Sequence, residues 1–227
     1  MNRTFWTAII LYIFCFIGCD KIDSEEIPAM QPGFMVRKVI TPETEYLYEY
    51  DELNRLSSIT FHDGIHRYEF DYSEDGKLTV TGYGHICTYY YGDANELTSI
   101  NFKYADIDCG TLYFTHSNGY PIKCVGQDHI YEEYLWENGN MSRETVTGIL
   151  AEDFSYSKIL NNWHVPVPIY YNLTPTHEMR IYPMMNSRNI PDKISNTEFH
   201  YERDSNGNIS KITKIAGQRS YVYMVEY

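Results

Sequence analysis

Apolar and aromatic residues recur along most of the chain in units of about 19 to 25 residues. Each unit has a small apolar anchor that follows an Asn or a Gly; the anchors are Leu56, Leu78, Leu97, Ile122, Met141 and Ile209, with one extra residue before Ile122. Eight residues before the anchors stand Tyr48, Phe70, Tyr89, Phe114, Glu133 and Tyr201, where Glu133 is the exception to an aromatic position. The residues two positions before these are also apolar or aromatic. An interval of two residues is the period at which side chains return to the same face of a β-strand. Each unit is therefore predicted to be strand, turn, strand.

A second apolar residue follows the anchor by three positions in several units, as at Ile59, Ile100, Val125 and Ile212. A step of three breaks the alternation and predicts a β-bulge just after the turn. Asn-Gly and Asp-Gly pairs such as Asp63-Gly64 and Asn118-Gly119 favour tight hairpins. The expected fold is all-β, an antiparallel meander of about 13–16 strands that curls into a barrel-like or rolled sheet and so removes its exposed edges.

The two faces of these strands differ in polarity. One face carries mostly Tyr, and the other carries Glu, Lys, Arg and Asp. A membrane-spanning barrel would need an apolar lipid-facing band on strands of about 9–11 residues. Insertion of the sheet into a membrane is therefore disfavoured.

The repeat is interrupted at about residues 159–192. This segment contains five of the nine prolines, together with Trp163, His164, Tyr170 and Tyr171. Residues 176–186 could form one or two helical turns, because Pro175 suits the start of a helix. A long irregular insertion in a regular sheet is a common place for function. The alternative is that it caps one end of the curled sheet and fills its core.

The N-terminus is typical of an export signal. Arg3 precedes an apolar run from Phe5 to Ile17, which is too short to span a bilayer as a helix. Phe16-Ile17-Gly18-Cys19 has the form of a lipobox, which predicts removal of residues 1–18 and acylation of Cys19. Residues 19–33 form an acidic tether and residues 34–227 a single β domain. An ordinary signal peptide cleaved elsewhere is the alternative.

Three hairpin units carry a resemblance: Tyr50-Asp51-Glu52-Leu53-Asn54-Arg55-Leu56, Tyr72-Ser73-Glu74-Asp75-Gly76-Lys77-Leu78 and Tyr91-Gly92-Asp93-Ala94-Asn95-Glu96-Leu97. They resemble the tyrosine–aspartate repeats of bacterial surface and toxin-shell proteins. With the lipobox, the stretch from Met185 to Pro191 and the hairpin from Tyr201 to Ile209, residues 34–227 resemble a family of Bacteroides-group lipoproteins of unknown function with a porin-like fold. The resemblance implies the fold and a place in the cell envelope, and it transfers no active-site residue.

Composition narrows the classes of partner. The 227 residues carry a formal net charge of −13 and include 23 tyrosines. Nucleic acids and anionic membrane surfaces need clustered Lys and Arg, so neither is an expected partner; membrane contact is expected through the lipid anchor alone.

Cys87, Cys109 and Cys124 lie outside the signal and anchor. Three cysteines are compatible with one disulfide and one free thiol, but their pairing cannot be derived from their spacing. The simpler prediction is that they are buried as small apolar residues.

Catalytic and metal-binding motifs are weak, and neither a cofactor nor a metal is expected. The sequence contains no Gly-x-Ser-x-Gly, no His-Glu-x-x-His and no Cys-x-x-Cys. His62, His66 and Asp63 could touch a metal, but a solvated turn is the simpler interpretation. Asp106 and Asp108 supply too few oxygen ligands for calcium. Glu132-Glu133 and Glu152-Asp153 would point to opposite faces of a strand, which is unsuitable for paired-carboxylate catalysis.

Two classes of function therefore compete. The first is a non-catalytic surface module that binds a glycan or a protein, with Trp136, Trp163, Tyr170 and Tyr171 as candidate contact residues. The second is a hydrolase whose site lies in the 159–192 insertion, with His164 and His177 as the available bases. Ordinary packing of these aromatic residues is the alternative to both.

Overall fold

A computed structural model describes residues 35–105, 107–126, 131–146, 150–161 and 187–227, which form one closed antiparallel barrel. Sixteen strands follow one another in chain order, and β1 pairs with β16 to close the barrel. None of the described residues forms a helix that could cross a membrane. The strands are β1 Lys38–Ile40, β2 Glu45–Tyr50, β3 Leu56–Phe61, β4 Arg67–Asp71, β5 Lys77–Gly82, β6 His85–Tyr91, β7 Leu97–Tyr104, β8 Ile107–Ser117, β9 Tyr120–Val125, β10 Tyr131–Glu137, β11 Asn140–Val146, β12 Leu150–Leu160, β13 Asn189–Ile194, β14 Thr197–Arg203, β15 Ile209–Ala216 and β16 Arg219–Glu226.

The repeated hairpin has a specific loop. At the β2–β3 connection, the Asp51 carboxylate accepts hydrogen bonds from the amides of Leu53 (2.9 Å) and Arg55 (2.8 Å). Asn54 has a φ of 60°, in the left-handed region that Asn tolerates better than most residues. Leu56 then enters the core, and the strand pairing shifts immediately after it, so the predicted bulge is confirmed. The same loop recurs between β14 and β15, where the Asp204 carboxylate accepts from the amides of Asn206 and Asn208, so the anchors Leu56 and Ile209 each follow such a loop.

Two assignments within the repeat were wrong by one residue. The turn at Asn118-Gly119 is short, so Pro121 takes the anchor position: it is fully buried, while Ile122 is 38% exposed. The next inward residue is Cys124 rather than Val125. A similarly short turn joins β10 to β11, so Tyr134 rather than Glu133 is the inward aromatic residue of its unit.

The apolar side chains point into the barrel. Buried residues from strands around the whole ring form one core, which includes Ile59, Ile100 and Ile212. The outer face carries ion pairs such as Lys211 with Glu202 (2.6 Å) and Arg143 with Asp153 (2.6 Å). A lipid-facing Lys or Arg costs about 2–4 kcal/mol at the bilayer midplane. The polarity of these strands is therefore the reverse of that of a membrane-spanning barrel.

The two ends of the barrel have different loops. The terminal end holds the start of β1, the end of β16 and the Asp-anchored loops of the repeat. The opposite, distal end holds the turns at residues 41–44, 62–66 and 83–84, together with Ala105 after β7. The chain therefore enters the barrel at one end, and the distal turns lie at the other.

The interruption is shorter than the sequence indicated. β12 extends to Leu160 and β13 starts at Asn189, so residues 159–160 and 189–192 belong to the sheet. The predicted helical turns at 176–186 lie outside the described residues. Ser187 and Arg188 anchor the return of the chain: the Met141 amide donates to Ser187 Oγ (3.1 Å) and the Arg188 amide to the Gly139 carbonyl (2.8 Å). The insertion thus returns to the barrel at the terminal end.

Candidate functional site

Aromatic rings gather where strands β2–β7 reach the distal end of the barrel. We call this group the aromatic mouth: Tyr46, Phe61, His66, Tyr68, Tyr83, His85 and Tyr104. The inward register of neighbouring strands brings most of these rings together, since Tyr46 pairs with Phe61 and His85 with Tyr104. Tyr83 and Tyr104 are 42% and 49% exposed. The mouth is therefore both packed against the core and open to ligand.

Tyr83 is the most unusual residue of the mouth. It lies in a tight turn with Gly84 and has a φ of 53°, which is an outlier for a bulky side chain. Its ring stacks on His66, with centroids 4.6 Å apart and an angle of 11° between the planes, and meets Phe61 edge-on at 5.3 Å. Asn or Gly would suit this backbone conformation better. An exposed ring held in a strained position is typical of a functional site.

Asp63 orients the histidine on which Tyr83 stacks. Its carboxylate accepts hydrogen bonds from the backbone amides of Ile65 (3.0 Å) and His66 (3.0 Å), and it also bonds His66 Nδ1. The His66 amide, followed by the His66 ring, lowers the pKa of the exposed Asp63 carboxyl to about 2. Asp63 is therefore ionised over the physiological pH range.

Two glycines make room for rings of the mouth. A Cβ atom added at Gly82 would lie 2.3 Å from Tyr68 Cδ1, so the Tyr68 ring covers this glycine closely. The Tyr104 ring lies on Gly84, where an added Cβ would be 3.5 Å away from it. Gly82 and Gly84 flank Tyr83, so one short hairpin positions three aromatic rings.

Carboxylates surround the mouth. Burial and then the charge of Glu43 raise the pKa of Tyr46, while burial and then Asp63 raise the pKa of Tyr83. Both phenols are therefore neutral hydrogen-bonding groups at physiological pH. The rings and phenol hydroxyls of the mouth can therefore offer stacking and hydrogen bonds to a ligand.

Trp136 lies at the other end of the barrel. Its indole N–H donates to the Pro121 carbonyl (2.6 Å), and its half-buried ring packs on Tyr120 with centroids 4.6 Å apart. It is thus far from the aromatic mouth, and its polar group already has a partner. Trp163, Tyr170 and Tyr171, like His164 and His177, lie outside the described residues. So does Cys19.

Two glutamate side chains, Glu132 and Glu144, are buried inside the barrel, which the sequence pattern does not predict. Glu144 follows the Met141 anchor by three positions, where other units place Ile59 or Ile100, and it is fully buried. Glu132 is 3% exposed and accepts a hydrogen bond from the Tyr134 hydroxyl (2.8 Å). Burial and the charge of Glu132 raise the pKa of Tyr134. Their burial means that a substrate cannot reach Glu132 or Glu144.

The other carboxylate pairs behave as expected. Glu133 and Asp153 are exposed on the outer face, whereas their neighbours Glu132 and Glu152 lie on the inner one. Among the residues that the structure describes, no three His, Cys, Asp or Glu side chains are grouped to hold a metal ion. Asp106, which together with Asp108 supplies too few oxygen ligands for calcium, lies outside the described residues.

Cys87, Cys109 and Cys124 are thiols that form no disulfide with one another. Cys87 and Cys124 are buried, as predicted, whereas Cys109 is exposed. Burial and the nearby Glu132 raise the pKa of Cys124, which keeps it as an unreactive thiol. None of these thiols lies in the aromatic mouth.

The sequence reasoning missed the aromatic mouth. The repeat predicts a structural role for its periodic tyrosines, which is correct for buried residues such as Tyr48 and Tyr134. The mouth uses the tyrosines at the distal strand ends, where the barrel no longer covers them. The signal in the sequence was Tyr83 between two glycines, because a bulky residue is uncommon in such a turn.

Comparison with solved structures agrees with this architecture. The chain has a porin-like β-barrel fold, similar to the crystal structure of a porin-like protein from Bacteroides uniformis, with a TM-score of 0.59 and 14% sequence identity. The match covers 84% of this chain and 94% of that one. A Photorhabdus luminescens Tc holotoxin pore also matches, with a TM-score of 0.23, 13% identity and coverage of 79% of this chain and 9% of that chain. No family model and no curated protein matches the sequence.

Proposed function

We propose that the protein is a cell-envelope lipoprotein, anchored in the outer membrane through Cys19, whose barrel binds a glycan at the aromatic mouth without altering it chemically. The observation that carries this proposal is the set of partly exposed rings held by strand register, turn geometry and mutual packing. Aromatic rings offer an apolar face to the C–H groups of a sugar, and their hydroxyls offer hydrogen bonds. Rigid rings also lose little conformational entropy when a ligand binds.

The position of the mouth fits a tethered module. β1 begins at the terminal end of the barrel, with Lys38 opposite Glu226, and the mouth is at the distal end. A chain anchored at Cys19 would enter the barrel from the membrane side. The mouth would then face away from the membrane, towards a ligand in the surroundings.

Binding is favoured over hydrolysis. The rings of the mouth include two histidines, and the ring of one of them, His66, is bonded to Asp63 and stacked on Tyr83. The buried Glu132 and Glu144 are closed to substrate. A binding role needs neither a general acid nor a nucleophile, so the chemistry present at the mouth is sufficient for it.

Binding is tested with the full-length chain in detergent micelles on an array of bacterial and plant glycans. The proposal predicts binding that is lost when Tyr104 is replaced by Ala. The matched control is Tyr113→Thr, because Tyr113 is 57% exposed on the outer face, away from the mouth. Binding that survives Tyr104→Ala, or is lost equally in Tyr113→Thr, contradicts the proposed site.

The anchor is tested separately. Cys19→Ala should abolish incorporation of labelled palmitate and release the protein from the membrane fraction of a Gram-negative host. Unchanged labelling and fractionation would show that the protein is not anchored through Cys19, and would leave the glycan site untouched.

A further inference from the structure

We infer that the aromatic mouth selects neutral glycans and rejects those made of uronic acids. This inference rests on the proposed glycan-binding function and specifies its ligand class. It comes from the charges that surround the rings. Stacking alone does not discriminate between a neutral hexose and its uronic acid, since both present the same C–H face.

The turns of the mouth carry fixed negative charge. Asp63 bonds the ring of His66, one of the two stacked rings, and is ionised well below neutral pH. Glu43 lies in the neighbouring β1–β2 turn, and its charge raises the pKa of both Tyr46 and Tyr223, after burial as the main cause. Two carboxylates therefore act on rings that would contact the sugar.

Two cations near the mouth, Lys38 and Arg67, are paired with carboxylates. Lys38 bonds Glu45 (3.0 Å), and Arg67 lies on the outer face between Glu49 (3.2 Å) and Glu69 (3.5 Å). The ring of His66 is bonded to Asp63. Lys103 is exposed beside Tyr104 and stands opposite Asp108 in the β7–β8 pairing. Even with Lys103 counted, carboxylates outnumber the Lys and Arg side chains of this region; they are Glu43, Glu45, Glu49, Asp63, Glu69 and Asp108.

Lys214 is the inward-facing cation to be considered. It is half-buried on β15, opposite Phe199 and Tyr221, and two strands, β16 and β1, lie between β15 and Tyr46 on β2. Burial lowers its pKa. Its paired neighbours Phe199 and Tyr221 belong to β14 and β16, whereas the charges of Asp63 and Glu43 act on Tyr83 and Tyr46 of the mouth.

The experiment uses matched hexasaccharides that differ only at carbon 6: β-1,4-mannan with β-1,4-mannuronan, and galactan and glucan with their uronic counterparts. Full-length protein in detergent is titrated by calorimetry at low salt. The neutral member is expected to bind at least about tenfold more tightly, because juxtaposed like charges oppose binding. The difference should narrow at 0.5 M salt, where screening is strong.

Two variants isolate the charges. Asp63→Asn keeps the oxygen that accepts the Ile65 and His66 amides, and Glu43→Gln keeps the shape of its side chain. Each should reduce the neutral-to-acidic affinity ratio about threefold, whatever its effect on absolute affinity. Equal or tighter binding of the uronic members would overturn the inference and leave glycan binding intact. Absence of binding to every glycan would instead refute the proposed function.

Discussion

Replacing Tyr83 by Asn separates the functional role of the mouth from its structural one. Two effects on stability oppose each other. Asn relieves a left-handed backbone that costs an ordinary L-residue about 1–2 kcal/mol. It also removes the ring pair with His66, and such aromatic pairs contribute about 0.5–1.5 kcal/mol. The free energy of unfolding should therefore change by less than about 1 kcal/mol.

Ligand binding should respond very differently to this substitution. Truncation of a central aromatic residue in a binding site commonly costs about 2 kcal/mol, which corresponds to about 30-fold in Kd. Urea unfolding and calorimetric titration of the same preparation measure the two quantities. Tyr83→Ala provides the comparison: it keeps the backbone strain and loses the ring, so it should destabilise the protein by about 0.5–1.5 kcal/mol. A Tyr83→Asn protein that binds normally, or that unfolds several kcal/mol more easily, would refute the reasoning.

Three further changes test separate contacts. Gly82→Ala should destabilise the protein by about 1–3 kcal/mol in urea unfolding and displace the Tyr68 ring, because the new Cβ would lie 2.3 Å from Tyr68 Cδ1; wild-type stability would contradict the close packing. Tyr134→Phe should cost about 1–3 kcal/mol, since it removes the hydrogen bond to the buried Glu132; a neutral effect would contradict that contact. The third change is in pH. The hydrogen bonds of Asp63 form with its charged carboxylate, so their contribution to stability is complete above the unfolded pKa of about 4 and is lost as the pH falls through about 2. The nuclear magnetic resonance signal of the His66 amide should change in that pH window in the wild type and not in Asp63→Asn.

The barrel itself could be predicted from the repeat. Inward positions alternate with outward ones along each strand, and Leu56, Leu97 and Ile209 are buried anchors as expected. The number of strands is at the upper limit of the predicted range, and the sheet closes completely. The errors at Pro121 and Tyr134 have one cause: a turn shortened by one residue moves the inward register of the adjoining strand.

The candidate site could not be predicted in the same way. Sequence spacing assigns a tyrosine to a face of a strand, but it does not say which turns meet at one end of a closed barrel. His66 and Tyr83 are far from adjacent in sequence, and they stack because β3–β6 form consecutive hairpins. Trp136 is a candidate from sequence because its ring offers a stacking face, yet it is half-buried and its N–H bonds to Pro121 at the terminal end.

The most direct test of the central claim is calorimetric titration of one glycan against two double variants. Tyr83→Asn with Tyr104→Ala removes exposed rings of the mouth, while Tyr90→Thr with Tyr113→Thr removes exposed rings of the outer face. The account predicts that the first variant loses binding by 100-fold or more, on the order expected for two such residues, and that the second binds as tightly as wild type. Retained binding in the first variant, with loss in the second, would move the site to the outer face and contradict the account.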